Sequence, residues 1–356
     1  MKYKTIQLKD MADVVMGQSP KSNFYNTEGK GVPFLQGVRT FGENYPSIDT
    51  YTSSFNREAQ SGEILFSVRA PVGRVNWANQ RIAIGRGLAA IKVKEGYSKN
   101  YLYYLFKKIG EHLDSLASGT VFTSINKKEL GELMLKIPVD LANQEKVANY
   151  LKKLDSKIEV NTQINDNLLE LAKTIFEEMF PNVNDGTDEI GSYIKNYDRN
   201  RRPLSKKQRS QIPGKYRYIG ATSVNDYINK YNFDGIYLLL GEDGTVQDQN
   251  GFPILQYIHG RFWPNNHAHV LQGKNVSTEW LYLFFLQRNI KGIVTGAVQK
   301  KISQRNLNSL TIKAPDDYEL TRFDSRMKPI FSKIRSLEDE NIILSKLKQE
   351  LLERYF

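Results

Sequence analysis

Residues 143–180 read NQEKVANYLKKLDSKIEVNTQINDNLLELAKTIFEEMF. Val147, Leu151, Leu154, Ile158, Leu168, Ile175 and Met179 recur on an alternating four-three spacing, with Asn161, Asn165 and Ala172 completing the series. This is the apolar seam of a coiled coil. A shift of 176 residues reproduces it as Phe323, Met327, Ile330, Ile334, Leu337, Asn341, Leu344, Lys348, Leu351 and Tyr355, and the two stretches end alike at Met179-Phe180 and Tyr355-Phe356. A helix of about 35 residues extends about 50 Å. A stripe this narrow needs a partner helix, and the other copy is the nearest one. Antiparallel packing would relate the copies by a pseudo-twofold axis. It would also bring the equivalent seam residues Asn165 and Asn341 together near mid-helix, as a buried polar pair fixing the register. Pro329 interrupts the second seam, and its missing N–H predicts that the second helix kinks or starts there.

Working outward, the rest of the chain repeats as well. Ser118-Gly119-Thr120-Val121 through Ile125, Leu130, Leu133, Lys136 and Pro138 aligns with Thr295-Gly296-Ala297-Val298 through Ile302, Leu307, Leu310, Lys313 and Pro315 at an offset of 177. Upstream, Tyr101-Leu102-Tyr103-Tyr104-Leu105-Phe106 resembles Trp280-Leu281-Tyr282-Leu283-Phe284-Phe285, an apolar-aromatic helix in each half. Gly62-Glu63-Ile64-Leu65-Phe66-Ser67 matches Asp234-Gly235-Ile236-Tyr237-Leu238-Leu239, a β-rich run. The expected class is α+β: two pseudo-repeated α/β globules separated by two long helices forming an antiparallel coiled coil. The expected boundaries are residues 1–142, 143–182, 183–318 and 319–356.

At 356 residues the chain is long enough for two cores. Lys and Arg outnumber Asp and Glu by 50 to 39, which suits a polyanionic partner, nucleic acid ahead of an anionic membrane. No run is apolar enough to span a bilayer and no signal peptide follows Met1, so a cytoplasmic protein is expected. With no Cys, disulfides, zinc ribbons, iron-sulfur clusters and a thiol nucleophile are excluded.

Charge is concentrated in the second half. Nine basic residues, Lys195, Arg199, Arg201, Arg202, Lys206, Lys207, Arg209, Lys215 and Arg217, stand against the single acid Asp198, interleaved with Tyr193, Tyr197, Tyr216 and Tyr218. Such a surface can neutralise phosphates, and Arg can pair with guanine edges in the major groove. Arg261 joins these candidates. In the first half the turn Gly17-Gln18-Ser19-Pro20-Lys21-Ser22 suits close backbone approach, and Arg39, Arg57, Arg69, Arg74, Arg81 and Arg86 are scattered after it. The repeated loops 119–128 and 296–305 carry Lys127, Lys128, Lys300, Lys301 and Arg305, a shared phosphate contact. The DNA-contacting set expected from these is Lys21, Arg39, Arg69, Arg74, Arg86, Lys127, Lys128, Arg199, Arg201, Arg202, Lys206, Lys207, Arg209, Lys215, Arg217, Arg261, Lys300, Lys301 and Arg305.

No catalytic constellation is evident. A phosphate-cradling GxxxxGKS loop is absent, as is an NPPY-like tetrapeptide. Glu28-Gly29-Lys30 lacks the Pro-Asp that a nuclease site would add, and His267-Ala268-His269 has no evident acidic partner for a metal. No cofactor or metal is expected on this chain.

The blocks Gly62-Glu63-Ile64-Leu65, Ile125-Asn126-Lys127-Lys128-Glu129-Leu130 with Ile137-Pro138, and Gln144-Glu145-Lys146-Val147-Ala148 leading to Leu154-Asp155-Ser156-Lys157-Ile158 resemble the specificity subunits of type I restriction-modification systems. The second half matches more loosely, Leu320-Thr321-Arg322-Phe323 replacing the Gln-Glu entry. The resemblance implies two target-recognition domains, each reading half of a bipartite double-stranded DNA site, with the paired helices setting the gap. It implies that two modification (methyltransferase) subunits dock on those helices and methylate adenine N6 with S-adenosylmethionine, while separate restriction subunits use ATP and Mg²⁺ to translocate and cleave. Two other readings stand beside it: a helical rod whose basic patch binds RNA or an anionic surface, and a cryptic nuclease around Glu28 and Lys30.

Overall fold

A computed structural model describes residues 1–116, 124–296 and 299–356. The expected loop motif Ser118-Gly119-Thr120-Val121 and the pair Ala297-Val298 lie outside the described residues. The chain divides into two compact units, Met1–Val160 with Asn341–Phe356, and Asn161–Glu340. Each unit therefore owns one globule and a portion of both long helices.

In the first unit, strand Tyr3–Gln7 pairs antiparallel with Met134–Pro138. A four-stranded antiparallel sheet follows, in the order Ala12–Met16, Leu88–Val93, Ile64–Ser67, Val75–Trp77. Ile64–Ser67 is buried along its length, as a central strand covered on both faces must be. Helix Lys99–Leu116 lays Tyr101, Leu102, Leu105 and Phe106 into the same core as Ile64, Phe66, Ala89 and Ile91. Five further short strands form an inserted sheet in the order Tyr25–Asn26, Tyr51–Thr52, Val32–Leu35, Ile82–Ile84, Glu58–Ala59.

The second unit repeats the frame. Asp188–Glu189 pairs with Thr311–Ile312, and the sheet begins Ile194–Asn196, Ala268–Gly273, Phe233–Gly241, Leu255–Pro264, the same order and sense as in the first unit. The difference lies beyond the fourth strand, where Pro213–Ile219 adds in parallel and Val224–Ile228 closes the edge as an antiparallel ribbon. Helix Thr278–Gln287, capped by the Ser277 hydroxyl accepting from the Trp280 N–H, buries Trp280, Leu281, Leu283, Phe284 and Phe285. Phe176 and Phe180 pack tilted and edge-on against that tryptophan, and Phe323 packs edge-on against both phenylalanines.

The long helices are Leu141–Met179 and Asp317–Tyr355. The expectation that the second starts at Pro329 is overturned. Asp316 and Glu319 exchange side-chain-to-backbone bonds at 2.7 and 3.2 Å, a capping box thirteen and ten residues before the proline, and the helix continues through it. Phe323, Met327 and Phe331, each 1% exposed or less, bury the turns on either side of it, and this packing offsets the lost hydrogen bond.

Within each unit the two helices run antiparallel. In the second, Asn161 Nδ2 donates to Glu340 Oε2 at 2.9 Å and Asn165 Nδ2 to the Ile334 carbonyl at 3.3 Å, so numbers fall on one helix as they rise on the other. In the first, Lys348 meets Asp155 at 2.6 Å and Leu352 shares a core with Val147 and Leu151. Of the expected seam, Leu151, Ile334 and Leu337 are buried; Leu154, Ile158, Leu168, Ile175, Ile330, Leu344 and Leu351 are half-buried. Asn165 donates its side-chain N–H to a backbone carbonyl, and Asn341 belongs to the other unit.

Candidate nucleic-acid interface

In the first unit five loops are tied together by backbone hydrogen bonds. Gly17 N–H and Gln18 N–H donate to the carbonyls of Leu88 and Ile84, Gly85 and Gly87 N–H to Leu35 and Gln36, Val68 N–H to Gly87, and Ile125 N–H to Val68, all between 2.8 and 3.1 Å. The Ser19 hydroxyl donates to Gln36 Oε1 at 2.8 Å and accepts from the Arg86 N–H at 3.1 Å. Arg69 bridges to Ser124. Glycine is required where these loops touch: a Cβ at Gly17 would lie 2.1 Å from the Gly85 carbonyl, and one at Gly87 2.6 Å from that of Gln36.

The loops so joined carry Lys21, Arg69, Arg86, Lys127 and Lys128, all exposed. Lys127 and Lys128 open a short helix held by an Asn126–Glu129 capping box. Arg39 follows Gln36 in the same loop system, with its guanidinium 2.7 Å from Asp49 and still three-quarters exposed. Arg74 is exposed on the 68–74 turn, beside the 2.8 Å bond from its own N–H to the Ser67 hydroxyl. Spacing alone gave these cations as scattered; the glycine-floored hydrogen bonds gather them. Sequence reading missed Gln18 and Gln36, which sit on the same joined loops; Gln36, set between Leu35 and Gly37, carried no charge signal.

The second unit reproduces the loop frame with different chemistry. Glu242 N–H donates to the His267 carbonyl and Ile302 N–H to that of Glu242, as Val68 and Ile125 do in the first unit. Asp243 bridges to Lys301 where Arg69 bridges to Ser124. Beneath these loops lies a charged cluster. Arg201, 13% exposed, donates to Glu242 at 2.6 Å and to the carbonyls of Ala268 at 2.7 Å and Asn266 at 3.2 Å. His269 places Nδ1 2.6 Å from Asp198 and Nε2 2.9 Å from the Ile302 carbonyl. Both ring nitrogens face acceptors, an arrangement that favours the doubly protonated ring. Burial works against that charge, but the Asp198 hydrogen bond and carboxylate, the Ile302 carbonyl and Glu242 outweigh it and hold the His269 pKa above its usual value. Asp198 is itself lowered: burial opposes this, while His269, the Val270 N–H and Asn196 stabilise the carboxylate.

The expectation that His267 and His269 lack an acidic partner is therefore wrong. Asp198, Glu242 and His269 offer ligand atoms within 4.8 Å of one another, and His267 Nδ1 lies 2.5 Å from Asp243. Sequence separation hid these acids. Arg201 and Lys301 pair with Glu242, and His269 with Asp198, so each carboxylate already has a partner that ties neighbouring loops together.

The dense basic run separates into braces and free heads. Arg201 serves the cluster just described. Arg209 pairs with Asp226 at 3.0 Å, donates to the Leu204 carbonyl at 2.7 Å and stacks on Tyr218. Arg217 donates to the His259 carbonyl at 2.5 Å. These three hold the fold, a correction to their expected role at the surface. Arg199, Arg202, Lys206, Lys207 and Lys215 are exposed. Lys206 and Lys207 ride on helix Lys206–Ser210, started by the Ser205–Gln208 capping box, beside the edge ribbon. Arg261 lies over Tyr231 and bonds Asp234 at 3.0 Å, half of its side chain in solvent. Tyr231 is exposed, as is Tyr227 on the edge ribbon opposite Arg217, two rings that sequence reading did not single out. The alignment of Lys300-Lys301 with Lys127-Lys128 needs correcting: Gln304–Asn308 is the counterpart of helix Lys127–Gly131, so Arg305 matches Lys128. Lys300 is exposed and Lys301 half-committed to Glu242. Glu28 and Lys30 form an exposed ion pair at 2.6 Å.

The comparisons with known proteins agree with this duplicated plan. The type I restriction modification DNA specificity domain matches twice, over residues 1–170 and 189–354. The MjaIX specificity subunit of a type I restriction enzyme from Methanocaldococcus jannaschii is 22% identical over 97% of this chain and 90% of its own length. The putative MjaX specificity subunit of the same organism is 40% identical over 46% of the chain, a match spanning 38% of that relative's length. The crystal structure of the type I restriction-modification S subunit from M. genitalium superposes with a TM-score of 0.60 at 17% identity, over 100% of this chain and 96% of that one, a likeness of fold. No helix among the described residues is long and apolar enough to cross a membrane. Two copies of one domain, filling nearly the whole length, place this chain in the family of type I restriction-modification DNA specificity proteins.

Proposed function

We propose that this chain reads a bipartite sequence in double-stranded DNA, one half with each unit, as the non-catalytic specificity subunit of a type I restriction-modification complex. The observation that carries the reading is a duplicated frame bearing two unlike cationic loop sets. The first unit offers Lys21, Arg39, Arg69, Arg86, Lys127 and Lys128 around Gln18 and Gln36; the second offers Lys206, Lys207, Lys215 and Arg261 around an edge ribbon. Lysines and arginines at loop tips hold phosphates, and amides and guanidinium groups can reach base edges. A two-stranded ribbon fits the major groove. Identical frames with different readers produce two different half-sites.

Modification subunits take the paired helices as their dock. In the first unit Tyr150, Val160, Ile342, Ile343 and Leu347 stand 41% to 67% exposed on them, more apolar surface than isolated helices need show to water. S-adenosylmethionine, ATP and Mg²⁺ belong to the partner subunits in this reading. The test is a competition binding assay on the chain assembled with its modification partner, using a duplex library randomised at two blocks with variable separation. Selection of two blocks at one separation supports the reading. Equal competition by RNA or random duplex favours a general polyanion binder, and cutting of the duplex by the chain alone with Mg²⁺, abolished by Lys30→Ala, favours a nuclease.

A further inference from the structure

A chain built from two similar halves meets a pairing problem. Each globule must take the end of the long helix that belongs to it, although the other end has the same length and a similar stripe. The first globule receives residues 341–356 and the second receives residues 161–180. Equivalent positions at the two junctions carry opposite chemistry.

At the first junction Lys348, 11% exposed along its side chain, pairs with Asp155 at 2.6 Å and Glu43 at 3.0 Å. Lys107 joins Glu43 at 3.3 Å and Asn44 at 3.0 Å, and the Tyr104 hydroxyl donates to Asp155 at 2.7 Å. Two lysines thus balance two carboxylates. The Glu43 carboxyl is held below its usual value, first by the charge of Lys107 and, against burial, by Lys348. Around the cluster Phe356 stacks on Tyr101 at 4.6 Å and Leu352 is buried.

Shifting the long helices by 176 residues turns Lys348 into Ala172 and Asp155 into Phe331; shifting the short helix by 179 turns Tyr104 into Leu283 and Lys107 into Leu286. Ala172, Leu283 and Phe331 are buried in one apolar cluster, against which Leu286 packs. The aromatic seat is kept, Phe180 meeting Trp280 as Phe356 meets Tyr101. Four polar groups on one side therefore face four apolar ones on the other.

We propose that this exchange makes the first unit a dock selective for the chain's own segment 341–356 and refuses the 161–180 segment, whether from the same chain or from a second copy. With 161–180 in the first dock, Ala172 would leave the buried Asp155 without its lysine, beside the more exposed Glu43, with only Lys107 remaining in the cluster. With 341–356 in the second, Lys348 would meet Phe331 and Leu283 with no counter-ion. Stranding a buried charge costs far more than the net gain of the intact pair, so discrimination comes from the wrong pairings. Similar helices and an exchangeable end are the conditions for domain swapping between copies, and the charge cluster removes them. Neither dock depends on what the units bind.

The test uses the full chain in two differently tagged populations, unfolded and refolded together, with mixed-tag capture and hydrogen exchange as readouts. Wild type should give little mixed species and protect residues 341–356. Lys348→Met should raise exchange of 341–356 by about tenfold or more while leaving 161–180 protected, because an apolar replacement cannot satisfy the two carboxylates. The charge-stripped variant Glu43→Gln/Asp155→Ala/Lys348→Ala, whose dock no longer excludes Ala172, should capture about ten times more mixed species than wild type. If that variant does not fold, Ala172→Lys decides, since it should lose protection of 161–180 by a similar factor. Wild-type protection in Lys348→Met, wild-type mixing in a folded charge-stripped variant, or undisturbed 161–180 in Ala172→Lys would each overturn the proposal.

Discussion

Replacing Arg201 with alanine should damage the fold of the second unit and leave its charge-driven contacts with DNA nearly unchanged. Arg201 and Glu242 are 13% and 16% exposed along their side chains, and the guanidinium also serves two carbonyls. Breaking a buried pair by deleting one partner costs about 3–5 kcal/mol. Lys301, 3.6 Å from Glu242, still offers it a cation and places the loss at the lower end, about 3 kcal/mol. For a unit of about 180 residues, each kcal/mol moves the melting midpoint by about 2–4 °C, so Arg201→Ala should lower it by about 6–12 °C. Lys206→Ala/Lys207→Ala should behave in the opposite way. Exposed substitutions stay within about 0.5 kcal/mol in stability, but each lost phosphate contact removes about 0.9 from the slope of log K against log salt, so the pair should remove about 1.8. Calorimetry on the full chain and anisotropy titrations across a salt series, with the modification partner bound, separate the two. An Arg201→Ala protein with a wild-type midpoint and a reduced salt slope would refute the division between braces and free heads.

The His269 pKa is raised, so its contribution to stability is full below the unfolded value near 6.5 and fades as pH rises through the folded one. Melting midpoints of the second unit should therefore fall as pH rises above about 6.5, and a pH profile in which His269→Gln falls as steeply would count against the imidazolium. Asp198, being lowered, contributes above its unfolded value of 3.8 and loses that contribution as pH falls through the folded one, which Asp198→Asn should abolish in acid titrations. Leu337→Ala, emptying a seam position 2% exposed, should cost about 2–5 kcal/mol in denaturant unfolding. Gly17→Ala forces a Cβ to within 2.1 Å of the Gly85 carbonyl, and the displaced loop should weaken binding of one half-site while sparing the other; uniform loss at both would contradict the local argument.

The long helices were legible because a four-three seam repeats over ten positions, and the duplicated frame because its blocks keep their order. Pro329 misled, since the deciding signal was Asp316-x-x-Glu319 upstream, a capping box whose strength against a proline depends on tertiary packing around Phe323 and Phe331. Charge density located the basic run but could not divide it. Arg201, Arg209 and Arg217 find partners 17 to 67 residues away, and such separations are invisible to spacing. The acids beside His269 were missed for the same reason, lying 71 and 27 residues from it in the chain. In the first unit the candidate cations looked scattered because the glycines that assemble them act through backbone contacts, which leave no charge pattern.

The central claim, two unlike readers on one repeated frame, is tested most directly by sequencing methylated adenines in a genome that carries this chain with its modification partner. The account predicts a split motif of two different blocks at one fixed gap, with Arg261→Ala relaxing only one block and Arg86→Ala only the other. A single uninterrupted motif, or one in which both substitutions act on the same block, would contradict it.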